Sequence, residues 1–151
     1  MKFRMAAALL SLVGLLIAAY LYLYKIGLIG TMVCGTGACE LVQTSRWSRF
    51  LGIEVSLIGV LGYIVLFGIG MAGLQPKNLD RTWPDGVMAL LSGTALAFSL
   101  YLTYLELFVI HAICRWCVAS ALIILGVFLS SLMGVMSASR GGAVGVSPNR
   151  A

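Results

Sequence analysis

Four stretches of this chain carry no charged residue: Met5 to Tyr24, Val55 to Leu74, Gly86 to Leu105 and Trp116 to Ser139. Each is about as long as the ~20 residues an α-helix needs to cross a hydrocarbon core of about 30 Å. Lipid offers no water to backbone N–H and C=O groups, so each stretch is expected to be helical. Composition agrees, with 61% of 151 residues hydrophobic, 10% charged and a mean hydropathy of +1.04. The expected fold is an all-α integral membrane protein: a four-transmembrane-helix bundle with spans near 5–24, 55–74, 86–108 and 114–137. Residues 1–139 form one domain, and 140–151, glycine-rich with Ser147-Pro148, read as a disordered tail.

Lys2 and Arg4 precede the first span as they would in a secretory signal, but the apolar run is too long for one. Ala18-Ala19 is followed by Tyr20, Tyr22 and Tyr24, which suit an interfacial aromatic belt better than a cleavage site. The stretch is therefore read as a retained span. With the amino terminus inside, the inner segments hold Lys2, Arg4, Lys77, Arg81, Arg140 and Arg150. The outer segments hold Lys25, Arg46, Arg49 and Arg115, a modest positive-inside bias. Both termini are then expected to be cytoplasmic. The net charge of +5 concerns topology and anionic lipid, with no nucleic-acid partner implied.

This topology puts all four cysteines on the outer face, as an oxidising compartment favours. Cys114-Arg115-Trp116-Cys117 opens the last apolar run. Thiols three residues apart at a helix entrance share one face of its first turn. The positive end of the helix dipole, with Arg115 and His111 close in sequence, favours the thiolate, which is the form that exchanges disulfides. Cys34-Gly35-Thr36-Gly37-Ala38-Cys39 lies in the long outer segment Ile26 to Glu54, where the glycines suggest a mobile shuttle pair. A static disulfide clamp is the plainer alternative there. For all four thiols together, the alternative is a zinc site or inert packing.

Around these pairs the chain offers further candidates. Glu40 to Phe50 reads as a short amphipathic interfacial helix, with Leu41, Val42, Trp47 and Phe50 toward lipid or the bundle and Arg46 and Arg49 toward head groups. The second span carries Ser56, Gly59, Gly62 and Tyr63 near its outer end. Small residues there let helices approach closely. Ser56 either bonds its own backbone, as serines in membrane helices often do, or meets a ligand oxygen. Glu106 is read first as an interfacial residue near Arg115 or His111, with a proton relay as the alternative. A dithiol must pass two electrons on, and in a bilayer the natural acceptor is a lipid-soluble quinone. Its ring is expected near Cys117, walled by Leu57, Ile58 and Trp116.

The segment Tyr101 to Ala121, with Glu106, His111, Cys114 and Cys117, resembles the vitamin K epoxide reductase family, especially its bacterial members. The segment Cys39 to Tyr63, with Ser45, Arg46, Trp47, Ser56 and Gly59, carries the same resemblance, which extends over about Met5 to Met136. The resemblance implies a quinone-dependent thiol–disulfide oxidoreductase in a bacterial cell membrane. Its electrons come from a thioredoxin-fold partner in the outer compartment and end on a quinone of the ubiquinone, menaquinone or vitamin K type. Cys34 and Cys39 would oxidise the partner, Cys39 would exchange with Cys114, and Cys117 would reduce the quinone. Ser45 would stabilise the exchange, and the quinone would meet Ser56, Leu57, Gly59, Tyr63 and Trp116. Val55 and Ala121 stand where animal members have an asparagine and a tyrosine that bind vitamin K oxygens. Ordinary quinone reduction is therefore expected, with vitamin K quinone or epoxide reduction as the alternative.

Overall fold

The computed structural model describes all residues except Met1, Met32, Thr36, Gly37, Leu79, Asp80 and 145–151. Helix α1 (Lys2–Lys25) is closed at its C-terminal end by Gly27, whose φ of +79° suits a residue without Cβ. Gly27 donates to the Tyr24 carbonyl at 3.0 Å and Leu28 to the Leu23 carbonyl at 3.1 Å, the paired bonds of a Schellman cap. Helix α2 (Ala38–Thr44) follows, then a 3₁₀ turn over Arg46–Ser48. Next comes a two-stranded hairpin, β1 (Arg49–Phe50) against β2 (Ile53–Glu54), turned by Leu51 and Gly52 at φ of 52° and 84°. The interfacial helix expected over Glu40 to Phe50 is thus cut short at Thr44 and replaced by this hairpin. Left-handed φ at both central residues is what a type I′ turn requires.

Helix α3 (Val55–Leu74) runs back and ends before Pro76. Helix α4 (Trp83–Leu105) continues into a π-turn over Glu106–Ile110, and α5 (Arg115–Val144) completes the bundle. The last helix therefore extends past 139 into the segment read as a tail. The remainder of that segment, 145–151, lies outside the described residues. Four helical segments are long and apolar enough to cross a membrane: Lys2–Lys25, Val55–Leu74, Trp83–Ile110 and Arg115–Ser137.

Helix α1 is central, packing on α3 and α5, while α4 packs on α5 and meets α3 more loosely. Close approach depends on small residues. A Cβ at Gly14 would fall 2.2–2.7 Å from Tyr63 ring atoms, and Gly70 faces Ala8. Ala7, Ala18, Tyr63, Leu66, Met88, Ile124 and Val127 form the mid-bundle core. At the end away from the cysteines, Arg4 of α1 donates to both Asp85 oxygens (2.6–3.1 Å) and to the carbonyls of Gly73, Asn78 and Arg81. The loop between α3 and α4, which carries no sequence motif, is thereby tied to the first helix.

Candidate functional site

Both cysteine pairs lie at one end of the bundle, as the alternation of helices requires. Cys34 and Cys39 are joined by a disulfide, whereas Cys114 and Cys117 are free thiols. The loop bearing Cys34 is hydrogen-bonded to two spans through Val33. The Val33 N–H donates to the Tyr20 hydroxyl (3.2 Å), and the Val33 carbonyl accepts from Trp116 Nε1 (3.2 Å). The rings of Tyr20 and Trp116 meet at 5.1 Å. The mobility expected of Thr36 and Gly37 concerns residues outside those described.

Cys39 and Cys114 are fully buried, and both belong to one apolar cluster with Leu21, Cys34 and Val42. Cys114 stands just before α5, where an N-cap belongs. Its carbonyl accepts the Val118 N–H at 3.0 Å, and its Sγ accepts the Cys117 N–H at 3.3 Å, so sulfur takes the part usually played by a serine oxygen. A hydrogen bond from the Cys117 side chain, helped by the N–H groups of Cys117 and Trp116, holds the Cys114 thiol below the ordinary cysteine value. Burial and the nearby Glu106 oppose that shift without reversing it. Arg115 and His111, expected to favour the thiolate, are exposed and are not among the groups that do so.

Beneath the hairpin, between α3, α4 and α5, lies a cavity of about 510 Å³. That volume is within the range of small-molecule sites. Its walls are mainly apolar, with Val55, Ile58, Phe98, Leu102 and Ile110 among them. Phe50 of the hairpin lines it too, edge-on against Phe98 with ring centres 5.4 Å apart. The hairpin is held by Glu54, which pairs with Arg49 at 2.7 Å and Lys25 at 3.3 Å. Lys25 also donates to Ser48 Oγ at 2.8 Å and to the Gln43 carbonyl, tying α1 to α2 and the turn that follows it.

Of the four cysteines, only Cys117 lines this cavity. Ser45, Ser56, Gly59 and Tyr63 line it too. Leu57 and Trp116 do not, so a ring held there would not touch them. Trp116 is turned toward the cysteine cluster, because adjacent helical residues point about 100° apart. The Ser45 hydroxyl donates to the Val42 carbonyl at 2.7 Å, which places it at the foot of α2 facing the cavity. The Tyr63 hydroxyl is taken up by Ser120, with 3.0 Å to its carbonyl and 2.9 Å to its Oγ.

Ser56 differs from the bundle's other buried serines. Ser11, Ser92 and Ser131 each donate to the carbonyl four residues back, at 2.6–2.8 Å. Ser56 is the second residue of α3, so the residue four back is Gly52, in the hairpin turn. Its Oγ is the one buried side-chain polar atom without a hydrogen-bond partner among the described residues. An orphaned hydroxyl in a cavity wall is what a ligand oxygen would satisfy.

Glu106, expected at the interface near Arg115 or His111, turns into the bundle. It is 4% exposed, and its Oε2 accepts the Cys114 N–H at 3.1 Å. No group of three or more His, Cys, Asp or Glu side chains is arranged to hold a metal ion among the described residues. The order of these features along the chain, from a loop disulfide before the second span to a Cys-x-x-Cys at the entrance of the fourth, is matched over residues 5–132 by the family model described as vitamin K epoxide reductase. The chain therefore belongs to the vitamin K epoxide reductase family, membrane oxidoreductases that move electrons between thiols and quinones.

Proposed function

We propose that this protein takes electrons from a thioredoxin-fold partner in the outer compartment and delivers them to a quinone, so that disulfides form in the partner's substrates. One observation carries the reading: of the two adjoining thiols of α5, one is buried beside Cys39 and the other also reaches the cavity. Cys114 shares a buried cluster with Cys39, and Cys117 lines the apolar cavity. An electron route needs one thiol on each side.

The partner's dithiol is oxidised as it reduces the Cys34–Cys39 disulfide. The Cys39 thiolate next attacks the oxidised Cys114, Cys117 leaves, and Cys34 resolves the mixed disulfide. This returns the Cys34–Cys39 bridge and leaves Cys114 and Cys117 as dithiol, the state seen in the structure. A quinone in the cavity accepts two electrons and two protons. Cys114 and Cys117 close to a disulfide as those electrons leave. Ser56 donates its unused hydroxyl to a quinone oxygen, while the apolar walls, Phe50 among them, surround the ring. Gly59 leaves room for the ring beside α3.

Val55, where animal members carry asparagine, adds only apolar wall, which supports plain quinone rather than epoxide as the acceptor. In the outer-face orientation both termini are cytoplasmic. The test is quinol formation by purified protein given a reduced thioredoxin-fold protein and a soluble benzoquinone. Turnover should vanish in Cys114→Ala and in Cys117→Ala. Wild-type turnover in either variant would overturn the scheme.

A further inference from the structure

Resting on that quinone reading, we propose that Glu106 is the proton carrier of the quinone step, taking the proton of the Cys117 thiol and passing it to the oxygen being reduced. A carboxyl inside a membrane span is costly and tends to mark function. This one is held in place by an interruption of its helix. At Glu106 the chain leaves α-helical spacing for a π-turn, a distortion frequent at functional sites. The Glu106 N–H reaches the carbonyls of Leu102 and Thr103, and its own carbonyl accepts from both His111 and Ala112. His111 then adopts the left-handed conformation (φ 54°, ψ 33°), a strained backbone for a residue with a side chain. The outcome is a carboxyl aimed at the foot of α5.

There it does two things at once. Oε2 accepts the Cys114 N–H at 3.1 Å, which fixes the carboxyl beside the Cys117 side chain, and the residue lines the same cavity as Cys117. The titratable groups facing it are the two thiols of α5, while His111 and Arg115 are exposed. No Lys, Arg or His forms an ion pair with it among the described residues. A carboxyl without a cation is able to gain and lose a proton within the cycle, as a fixed ion pair is not.

The balance is simple. The Cys114 and Cys117 sulfurs join in a disulfide, and the two electrons released reduce the quinone to quinol. The Cys117 proton travels through Glu106 to one quinone oxygen. The Cys114 proton goes to water at the outer end, and the second quinol proton is drawn from there.

The experiment mixes chemically reduced full-length protein with a soluble short-tailed benzoquinone and follows a single turnover across pH. Glu106→Gln keeps the size and the acceptor for the Cys114 N–H but cannot hold the proton. Its quinol formation is expected to slow about 100-fold, the lower range for a lost general acid–base group, and to lose the pH dependence of the wild type. Bridging of Cys39 to Cys114 should be unchanged, and Glu106→Asp should recover part of the rate. Wild-type rate and pH profile in Glu106→Gln would overturn the relay alone. A wild type that makes no quinol would overturn the quinone reading and the relay with it. Should Glu106→Gln not fold, time-resolved infrared spectra of wild-type protein during that single turnover carry the test. A carboxyl C=O band that shifts with ¹³C-glutamate supports the relay, and its absence refutes it.

Discussion

Replacing Ser56 with alanine should move stability and quinone affinity in opposite directions. The Ser56 side chain is nearly buried at 8% exposure, and its Oγ has no partner. A buried hydroxyl left without a hydrogen bond costs about 1–3 kcal/mol. Alanine removes that cost and suits a helix slightly better. A net gain of about 1 kcal/mol is expected in the quinone-free protein, or roughly 2–4 °C in Tm for a chain of this size. With quinone bound that gain is offset, because the wild-type hydroxyl then makes a bond worth about 1 kcal/mol that alanine cannot make. The quinone should bind ~5-fold more weakly. The assay is thermal unfolding in nanodiscs without and with a soluble benzoquinone, together with KM for that quinone. A variant that melts lower without quinone and shows an unchanged KM would mean that Ser56 serves the fold and not a ligand.

Other substitutions report on other parts of the structure. Gly14→Ala puts a methyl into the Tyr63 ring, which Ser120 holds at its hydroxyl, so a loss of about 1–3 kcal/mol and slower quinone reduction are expected. Unchanged Tm and turnover would contradict the packing described. Thiolate absorbance at 240 nm should place the Cys114 midpoint below the ordinary ~8.5, with the thiolate populated above that midpoint. Because the folded value is lowered, its contribution to stability is lost as pH falls through it, and Cys117→Ala should raise the midpoint. A midpoint unmoved in Cys117→Ala would refute the assigned cause. Asp85→Ala removes the carboxylate from a nearly buried Arg4 guanidinium, leaving it only carbonyl acceptors, and should cost about 3 kcal/mol by denaturant unfolding. The double variant Arg4→Met, Asp85→Leu should cost less than that single one, and simple additivity would argue against a coupled pair.

The spans were legible because a membrane helix writes itself as an unbroken apolar run. The Cys-x-x-Cys was legible because it opens one of those runs. What the chain does through long-range or irregular geometry was not. Leu51-Gly52 lacks the Asn-Gly or Asp-Gly signature of a type I′ turn, so a hairpin of two-residue strands was read as helix. The 3.6-residue period cannot foresee a π-turn, and it is that turn which carries Glu106 to the thiols instead of the interface. Arg4 and Asp85 meet across 81 positions of sequence, a pairing no local pattern announces. Two residues carry a signal that the helical period alone makes readable. Ser56, second in a helix starting at Val55, had no helical carbonyl four residues back, and Trp116 could not share the direction of Cys117, one residue on.

The most direct test of the electron route is the disulfide map of purified Cys117→Ala, obtained by mass spectrometry after non-reducing digestion. With Cys117 gone, Cys114 should attack the loop disulfide at the sulfur packed beside it. The expected product is a Cys39–Cys114 bridge with Cys34 free. An intact Cys34–Cys39 bridge beside an unreacted Cys114, or a bridge from Cys114 to Cys34, would contradict the route.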